Sequence, residues 1–175
     1  WAVTKIIEIP AEPADPEKLP PMLKGFGAVP PLVTDIDLSM DDKFLYVSCW
    51  GTGEMRQYDV SDPRKLKLAG SVHIGGIVRK TPHPNGKAYA GGPQMVEISR
   101  DCKRVYWTNS LYSTWDDQFY PAGMPAAEVM AIAKPGGGLE LAKDYWVNFP
   151  DGYRAHQIRL DGGDCSTDSF CYPSV

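Results

Sequence analysis

The chain has 175 residues, of which 43% are hydrophobic and 11% aromatic, and its formal net charge is −4. This length suffices for one or two ordinary domains, and the acidic balance without any long basic cluster excludes the electrostatic footprint of a nucleic-acid-binding protein. No apolar run approaches the roughly 18–20 residues that span a bilayer. The 17 glycines and 16 prolines follow no Gly-X-Y period, and they favour many short strands joined by tight turns.

The first part of the chain divides into a short strand and a proline-rich stretch. Residues 4–9 alternate polar and apolar side chains, which predicts a strand. Residues 10–31 hold seven prolines, and because proline lacks the amide donor and fixes φ, we expect either an ordered loop or a linker there. The chain starts at Trp1, so we expect a processed or truncated polypeptide, and the lack of a signal peptide carries no information about its compartment.

Regular strand patterns begin after residue 32. The alternation and β-forming residues predict strands at residues 35–38, 44–48, 55–60 and 66–74. The segments between them are rich in Ser, Asp and Gly, which are typical of turns.

The sequence pattern of the first turn and the strand after it recurs sixty residues further on. Identical residues at this offset are the pairs Ser39/Ser99, Asp41/Asp101, Lys43/Lys103 and Tyr46/Tyr106. A weaker third copy lies at residues 158–161. A repeat of about four short strands is typical of a β-propeller blade, so we predict an all-β fold of the propeller class. A generic antiparallel sandwich with coincident turns is the alternative.

Two and a half repeats cannot close a propeller, which needs roughly four to eight blades. An open fan would expose apolar faces and unpaired strand edges. We therefore expect residues 1–175 to be the C-terminal part of a single propeller domain, covering its last two to three blades. The remaining blades would belong to a longer precursor or to a second chain. A last strand at residues 155–160 is expected to close the ring.

The repeat also singles out one histidine. The innermost strand of each unit precedes the Ser-x-Asp turn, so residues 34–35, 93–94 and 155–156 should occupy equivalent positions at the mouth of the central channel. His156 is therefore our candidate metal ligand, since an imidazole can bind a metal through one nitrogen and be oriented through the other. Several donors are needed for a site, and the others would come from other blades. The alternative is a surface or hydrogen-bonding histidine.

The other candidate residues give weaker evidence for a functional site. We expect His73 to be an exposed residue of an outer strand and His83 to lie on an exposed loop. The insert at residues 110–127 contains aromatic and acidic residues that either line a pocket or divide between packing and solvent. Residues 136–138 (Gly-Gly-Gly) lack the Lys-Ser/Thr of a phosphate-binding loop, and no nucleophile elbow is present, so the catalytic residues stay unassigned.

Four cysteines are present, at positions 49, 102, 165 and 171. None forms a CxxC pair, which argues against a structural zinc site. Cys165 and Cys171 are six residues apart and would either form a disulfide in an oxidising compartment or remain thiols.

Several phrases resemble the selenium-binding protein family. They are AGGPQM at residues 90–95, SLYS at 110–113 with QFYP at 118–121, AH at 155–156 and GGDCS at 162–166. RQYD at residues 56–59 and SDP at 61–63 fit the same pattern. The resemblance covers residues 32–168, and it implies the C-terminal part of a bacterial member of the family.

The resemblance implies a seven-bladed propeller that oxidises methanethiol with oxygen and water to formaldehyde, hydrogen sulfide and hydrogen peroxide. It also implies a copper centre built partly from histidine, for which His156 is the residue of this chain on a matching motif. Calcium is a second candidate ion. The family's selenium-associated cysteine lies in the N-terminal part, so no cysteine of this chain inherits that role.

One departure from the family pattern concerns the turn of the second repeat. Cys102 stands where the family has the Gly of an Asp-Gly-Lys turn. The alternative function is a non-catalytic propeller that binds selenium or a protein partner. The bacterial pattern and the Cys165–Cys171 pair favour the periplasm, with the cytoplasm as the alternative, and a small thiol with O2 as the substrates.

Overall fold

The computed structural model describes residues 2–165, which form three antiparallel sheets. The strands are β1 (Glu12–Pro13), β2 (Ala28–Val29), β3 (Val33–Leu38), β4 (Phe44–Cys49), β5 (Glu54–Asp59), β6 (Lys67–His73), β7 (Val96–Ile98), β8 (Arg104–Thr108), β9 (Ala127–Ala133) and β10 (Leu139–Asn148). Helix α1 (Ser113–Phe119) lies between β8 and β9, and 3-10 helices form at Pro16–Lys18 and Pro21–Phe26. The predicted all-β class is confirmed.

The two larger sheets are meanders of four strands each. Sheet 1 has the order β3-β4-β5-β6, and sheet 2 the order β7-β8-β9-β10. The strands predicted at residues 35–38, 44–48, 55–60 and 66–74 correspond to the four strands of sheet 1. Strands consecutive in sequence are neighbours within each sheet, and most pairs are joined by short connections that keep the loop-closure cost low. The exception is the connection between β8 and β9, which spans residues 109–126 and contains α1.

The sixty-residue repeat corresponds to the first hairpin of each sheet. Ser39 Oγ donates to Asp41 Oδ1 at 2.8 Å, and Ser99 Oγ donates to Asp101 Oδ1 at 2.5 Å. These bonds lie in the turns between β3 and β4 and between β7 and β8. The repeated sequence therefore encodes a repeated turn.

Sheets 1 and 2 pack side by side, with their first strands β3 and β7 in contact. The core between the sheets combines Tyr46, Met55 and Ile74 with Trp107 and Val129, all of them at most 1% exposed. Burying a large apolar side chain contributes about 1.5–3 kcal/mol relative to leaving it in water, so this core is the main stabilising contact between the sheets.

The backbones also approach closely where the chain enters sheet 2. A Cβ atom on Gly92 would lie 2.1 Å from Trp50 O, a distance that no side chain tolerates. Trp50 is fully buried, and its indole Nε1 donates to Asn109 O at 2.9 Å. The close contact between the two backbones therefore explains why the second glycine of AGGPQM, Gly92, has no side chain.

The opposite face of sheet 1 carries apolar side chains that are partly exposed. Ile36, Leu38 and Leu68 are 58%, 41% and 53% exposed. A smaller cluster on this sheet contains buried Val47 and Tyr58 with partly buried neighbours. Sheet 1 thus has an apolar face that sheet 2 does not cover.

The proline-rich stretch is an ordered loop, as predicted, and no α-helix forms within residues 10–31. Glu12 pairs with Val29 across the short β1–β2 ladder. Leu19, Leu23 and Val29 are buried in a second cluster that includes Trp50. Apolar side chains therefore anchor the loop to the rest of the chain at several points.

Two predicted strands are wrong. Residues 4–9 and residues 155–160 form no strand in the described part of the chain, although Ser99 and Asp164 form an isolated antiparallel bridge. A strand needs a neighbour to accept and donate its backbone hydrogen bonds. Neither segment has a neighbouring strand over its length among residues 2–165, so the alternating pattern alone does not produce one.

Candidate functional site at the inner edge of the sheets

Residues 34–35, 93–94 and 155–156, predicted to be equivalent, lie together beside strands β3 and β7. We call this place the inner edge of the sheets. Thr34 Oγ1 donates to Gln94 O at 3.0 Å. Thr108 Oγ1, at the end of β8, lies 2.9 Å from His156 O and 3.2 Å from Gln94 Oε1. Three parts of the chain therefore meet at one place, as the repeat predicts: β3, the segment just before β7, and the C-terminal segment.

The His156 ring is exposed in this chain and is oriented through one nitrogen. Its Nδ1 atom lies 3.2 Å from the carbonyl oxygen of Leu111. When Nδ1 carries the proton it donates to this carbonyl, and Nε2 then keeps the lone pair that a metal ligand needs. His156 thus fits a role as one ligand of a transition metal.

Asp35 lies next to this histidine on β3. Val96 N donates to Asp35 Oδ2 at 2.8 Å, which ties β3 to β7. Burial raises the pKa of Asp35, while the hydrogen bonds from Val96 and Ile36 and the charge of His156 act in the opposite direction.

The insert between β8 and β9 supplies the carbonyl that orients His156. Asp116 of α1 is fully buried, and it accepts from Ser110 Oγ at 2.6 Å and from Leu111 N at 3.2 Å. Arg154 Nε lies 3.9 Å from Asp116 Oδ2. Burial raises the pKa of Asp116, and the hydrogen bonds from Ser110 and Leu111 oppose this. The backbone of Leu111 is thus held through its N–H by Asp116, and its carbonyl oxygen lies against His156.

The two interpretations of the insert each hold for part of it. Trp115 and Phe119 pack their rings 5.2 Å apart, and Phe119 meets Trp50 at the same distance. Asp117 faces solvent with 59% of its side chain exposed, whereas Asp116 is buried. The sequence does not distinguish these two neighbouring aspartates, because only the helix register decides which one points inward.

A groove of about 440 Å³ opens beside the insert. Its walls come from residues 122–126 and 149–154, with Met124, Tyr153 and Arg154 among them. Arg154 also donates to Met124 O. Arg154, which lines this groove, precedes His156 by two residues in the sequence.

Acidic side chains gather on the same inner strands, and sequence reasoning did not identify this cluster. Asp37 of β3 and Glu97 of β7 occupy equivalent repeat positions. Arg159 NH1 lies 2.9 Å from Glu97 Oε2 and 3.8 Å from Asp164 Oδ1. Burial, and then the charge of Glu97, raises the pKa of Asp37 to about 7. The repeat offset was the signal available in the sequence, since it places both carboxylates on neighbouring strands.

His73 lies at the far edge of sheet 1, where β6 is the last strand. Its side chain is 33% exposed, and its ligand atoms lie within 4.8 Å of those of Glu12 and Glu54. Arg56 Nε is 2.7 Å from Glu54, and Arg79 NH2 is 2.8 Å from Glu12. Because each carboxylate already has a guanidinium partner, ion pairing accounts for this group.

The expectation of exposure for His83 is wrong. The residue is 1% exposed, and its ring packs edge-on against Trp146 with centroids 5.2 Å apart. His83 Nδ1 accepts from Asn85 N at 3.3 Å. The ring contact with Trp146 places the His83 loop against β10, and this tertiary contact is not visible in the local sequence.

The predicted Cys165–Cys171 pair lies only partly within the described residues, because Cys171 is outside them. Cys49, Cys102 and Cys165 carry thiols in this structure. Cys165 is 2% exposed.

In the described part of the chain, none of the helices has the length and apolar character needed to cross a membrane.

The repeated four-stranded sheets and their shared turn place the chain among all-β proteins built from sheet repeats. The family model described as 56kDa selenium binding protein (SBP56) matches residues 1–171. This chain therefore belongs to the selenium-binding protein family, which confirms the resemblance drawn from its motifs.

The chain is similar to proteins named methanethiol oxidase. It is 41% identical to the one from Xenopus tropicalis, over 96% of this chain and 39% of that protein. It is 42% identical to the human one over the same shares of 96% and 39%. The chain thus spans about two fifths of the length of these relatives.

A solved structure agrees with the fold. The X-ray structure of a hypothetical selenium-binding protein from Sulfolobus tokodaii superimposes with a TM-score of 0.92 at 59% sequence identity. The match covers 99% of this chain and 38% of that chain. Both comparisons place the similarity in a part of a longer protein.

Proposed function

We propose that this chain is the C-terminal part of a methanethiol oxidase whose complete form is a seven-bladed β-propeller. The observation that carries the proposal is its 41% identity, over 96% of its length, to a relative with that name. In the net reaction, one methanethiol, one O2 and one water give one formaldehyde, one hydrogen sulfide and one hydrogen peroxide. The methyl carbon is oxidised, and oxygen is reduced by two electrons.

Two features of the sheets support the propeller. The first strands β3 and β7 lie in contact, and the sheets bury a common core between their faces. Sheet 1 has a second apolar face with Ile36 58% exposed. A preceding blade would cover this face in the way that sheet 1 covers sheet 2. The rest of the relatives' length is enough to supply such blades.

His156 is the residue of this chain that would bind copper, with the remaining ligands from other parts of the protein. Copper supplies the transfer of electrons from sulfur to oxygen, which side chains do not perform alone. The chain's own contribution is orientation: Leu111 O fixes Nδ1, and Asp116 holds the backbone of Leu111 through its N–H. The general base stays unassigned.

The test uses the complete protein and its His156→Ala variant. We expect the variant to bind less copper by elemental analysis and to release at least ten-fold less peroxide when given methanethiol. His73→Ala is the matched control, because His73 lies on the far edge of sheet 1 and should leave both quantities unchanged.

A complete protein that binds no copper and releases no peroxide would contradict the proposal. That result would favour the alternative, a propeller that binds selenium or a protein partner without catalysis. Equal loss of copper in both histidine variants would also count against a specific role for His156.

A periplasmic location is part of the proposal for the complete protein. It draws on the resemblance of the chain's motifs to a bacterial member of the family, and a disulfide at Cys165, whichever cysteine is its partner, would persist in such an oxidising compartment. Fractionation of cells that express the complete protein tests it, and recovery of the protein with cytoplasmic markers would contradict it.

A further inference from the structure

Two cysteines that are distant in sequence lie against each other at the turn of sheet 2. Cys102 sits in the turn between β7 and β8, and Cys165 follows the isolated bridge between Ser99 and Asp164. Cys102 N donates to Ser99 O at 2.7 Å, and the Cys165 thiol lies 3.5 Å from that same carbonyl oxygen. Both residues therefore meet at one backbone group.

The two sulfurs share a second neighbour. Met40 N donates to Cys102 Sγ at 3.3 Å, and the Cys165 sulfur also interacts with this amide. The two side chains are neighbours, because the Cys102 thiol is among the groups that raise the pKa of the Cys165 thiol. Both belong to the core between the two sheets, with Cys165 buried and Cys102 partly buried. Two thiols that share backbone neighbours in this way are candidates for a disulfide, which also requires Cα atoms roughly 4.4–6.8 Å apart.

We propose that Cys102 and Cys165 form a redox-active dithiol that hydrogen peroxide converts to a reversible disulfide. The sulfur of Cys102 attacks one peroxide oxygen, the O–O bond breaks, and a sulfenic acid forms with release of water. Cys165 sulfur then attacks the Cys102 sulfur, the S–O bond breaks, and a second water leaves. Overall, two thiols and one hydrogen peroxide give one disulfide and two waters, and the two sulfurs supply the two electrons.

The order of these steps follows from exposure. Cys102 is half-buried at a turn, so an oxidant in solution reaches its sulfur directly. Cys165 is 2% exposed. Burial first, and then the neighbouring Cys102 and Asp37, raises the pKa of the Cys165 thiol to about 12. A buried thiol that stays protonated reacts slowly with peroxide, and it therefore acts second, within the contact that the fold provides.

The disulfide would fasten the C-terminal segment to sheet 2. This segment carries His156, and its contacts with sheet 2 include the Ser99–Asp164 bridge and the bond from Thr108 to His156 O. An effect of the disulfide on metal binding at His156 rests on the proposed function, in which hydrogen peroxide is a product. Formation of the disulfide does not rest on it, because peroxide from any source can oxidise the two thiols.

Tryptic peptides of the complete protein test the proposal. Cleavage releases Cys102 in the tripeptide of residues 101–103, and it releases Cys165 together with Cys171 in the peptide that starts at residue 160. After treatment with a small excess of hydrogen peroxide, we expect these two peptides to be joined under non-reducing conditions and separated by dithiothreitol. The joined mass should be about two hydrogens below the sum of the two thiol peptides.

Three variants identify the cysteines. Cys171→Ser should keep the joined peptide, whereas Cys165→Ser should lose it. Cys102→Gly should also lose it, and because glycine accepts the left-handed backbone at this position the variant should fold. Methionine and histidine oxidation in the same digests provides the control for peroxide exposure.

Two results would overturn the proposal. One is a disulfide between Cys165 and Cys171 with Cys102 left as a thiol. The other is overoxidation of Cys102 to sulfinic acid without any joined peptide. Neither depends on copper or on thiol turnover, so failure here is distinguishable from failure of the proposed function.

Discussion

Sheets 1 and 2 close their first hairpins with the same turn but differ in what surrounds it. In both turns the residue after the aspartate has a left-handed backbone, with φ of 54° at Asp42 and 57° at Cys102. The N–H of the first strand residue after each turn bonds to the turn serine, at 3.0 Å for Ser39 and 3.1 Å for Ser99.

Beyond the turns, the two sheets are covered differently. Ile98 of β7 is completely buried, whereas Leu38 at the equivalent position of β3 is 41% exposed. The C-terminal segment reaches sheet 2 through Asp164 and Arg159. The comparison teaches that short-range hydrogen bonds reproduce a turn wherever its residues recur, while burial depends on which sheet lies alongside.

The largest expected difference concerns the pair Ile98 and Leu38. Ile98→Ala should cost about 2–5 kcal/mol in the free energy of unfolding, because it opens a cavity in the core between the sheets. Leu38→Ala should cost less than about 1 kcal/mol in the 175-residue chain, since its side chain is already partly in water. Urea unfolding of both variants measures the difference.

The complete protein sharpens this test. If a preceding blade covers sheet 1, Leu38→Ala should become as costly as a core truncation there. Equal and small costs for Leu38→Ala in both forms would contradict the proposed blade contact.

The second pair, Asp37 and Glu97, should respond to mutation in opposite directions. Glu97→Gln should destabilise the fold by about 0.5–1.5 kcal/mol at neutral pH, because it removes the carboxylate that pairs with the half-exposed Arg159, while relief of the repulsion between Glu97 and Asp37 offsets part of the loss. Asp37→Asn should instead stabilise the fold by about 1–3 kcal/mol at about pH 8, because burial, and then the charge of Glu97, disfavours the ionised form of Asp37.

The pH dependence gives the sign of the Asp37 effect independently. Its folded pKa of about 7 is above the ordinary value of 3.8. Between those pH values the unfolded chain binds fewer protons at this group, so stability falls as the pH rises from about 4 to about 7. Asp37→Asn should flatten that part of the curve, measured by unfolding at several pH values. A parallel curve in the variant would show that Asp37 titrates normally.

The smallest effects are expected at the left-handed turn positions. Cys102→Gly should stabilise the fold by up to about 1 kcal/mol, because glycine adopts positive φ without steric cost. Asp42→Gly should gain less, since aspartate tolerates this conformation better than cysteine does. Thermal unfolding under reducing conditions compares the two, and a larger gain at position 42 would contradict the explanation.

Local pattern was sufficient for much of the fold. Alternation and turn residues located the four strands of sheet 1, and the Ser-x-Asp repeat located the hairpin of sheet 2. The same pattern failed at residues 4–9 and 155–160, because a strand also requires a partner for its backbone groups. The repeat correctly brought Thr34, Gln94 and His156 together, since equivalent residues of adjacent units share one edge.

Much of the candidate site depends on contacts that no local pattern contains. The carbonyl of Leu111 reaches His156 only because Asp116 of a short helix is buried beneath it. His83 is buried rather than exposed because its loop lies on Trp146. The pairing of Cys165 with Cys102 was equally invisible, because 63 residues separate the two in sequence.

By itself, the sequence determined the all-β class, the repeated turn and the histidine to examine, because these follow from spacing along the chain and from short-range hydrogen bonds. Only the tertiary structure decided which carboxylates share an edge, which face of sheet 1 stays uncovered and which thiol meets Cys165. The physical reason is that burial and electrostatic coupling are set by neighbours in space, and the packing of one sheet on another selects those neighbours.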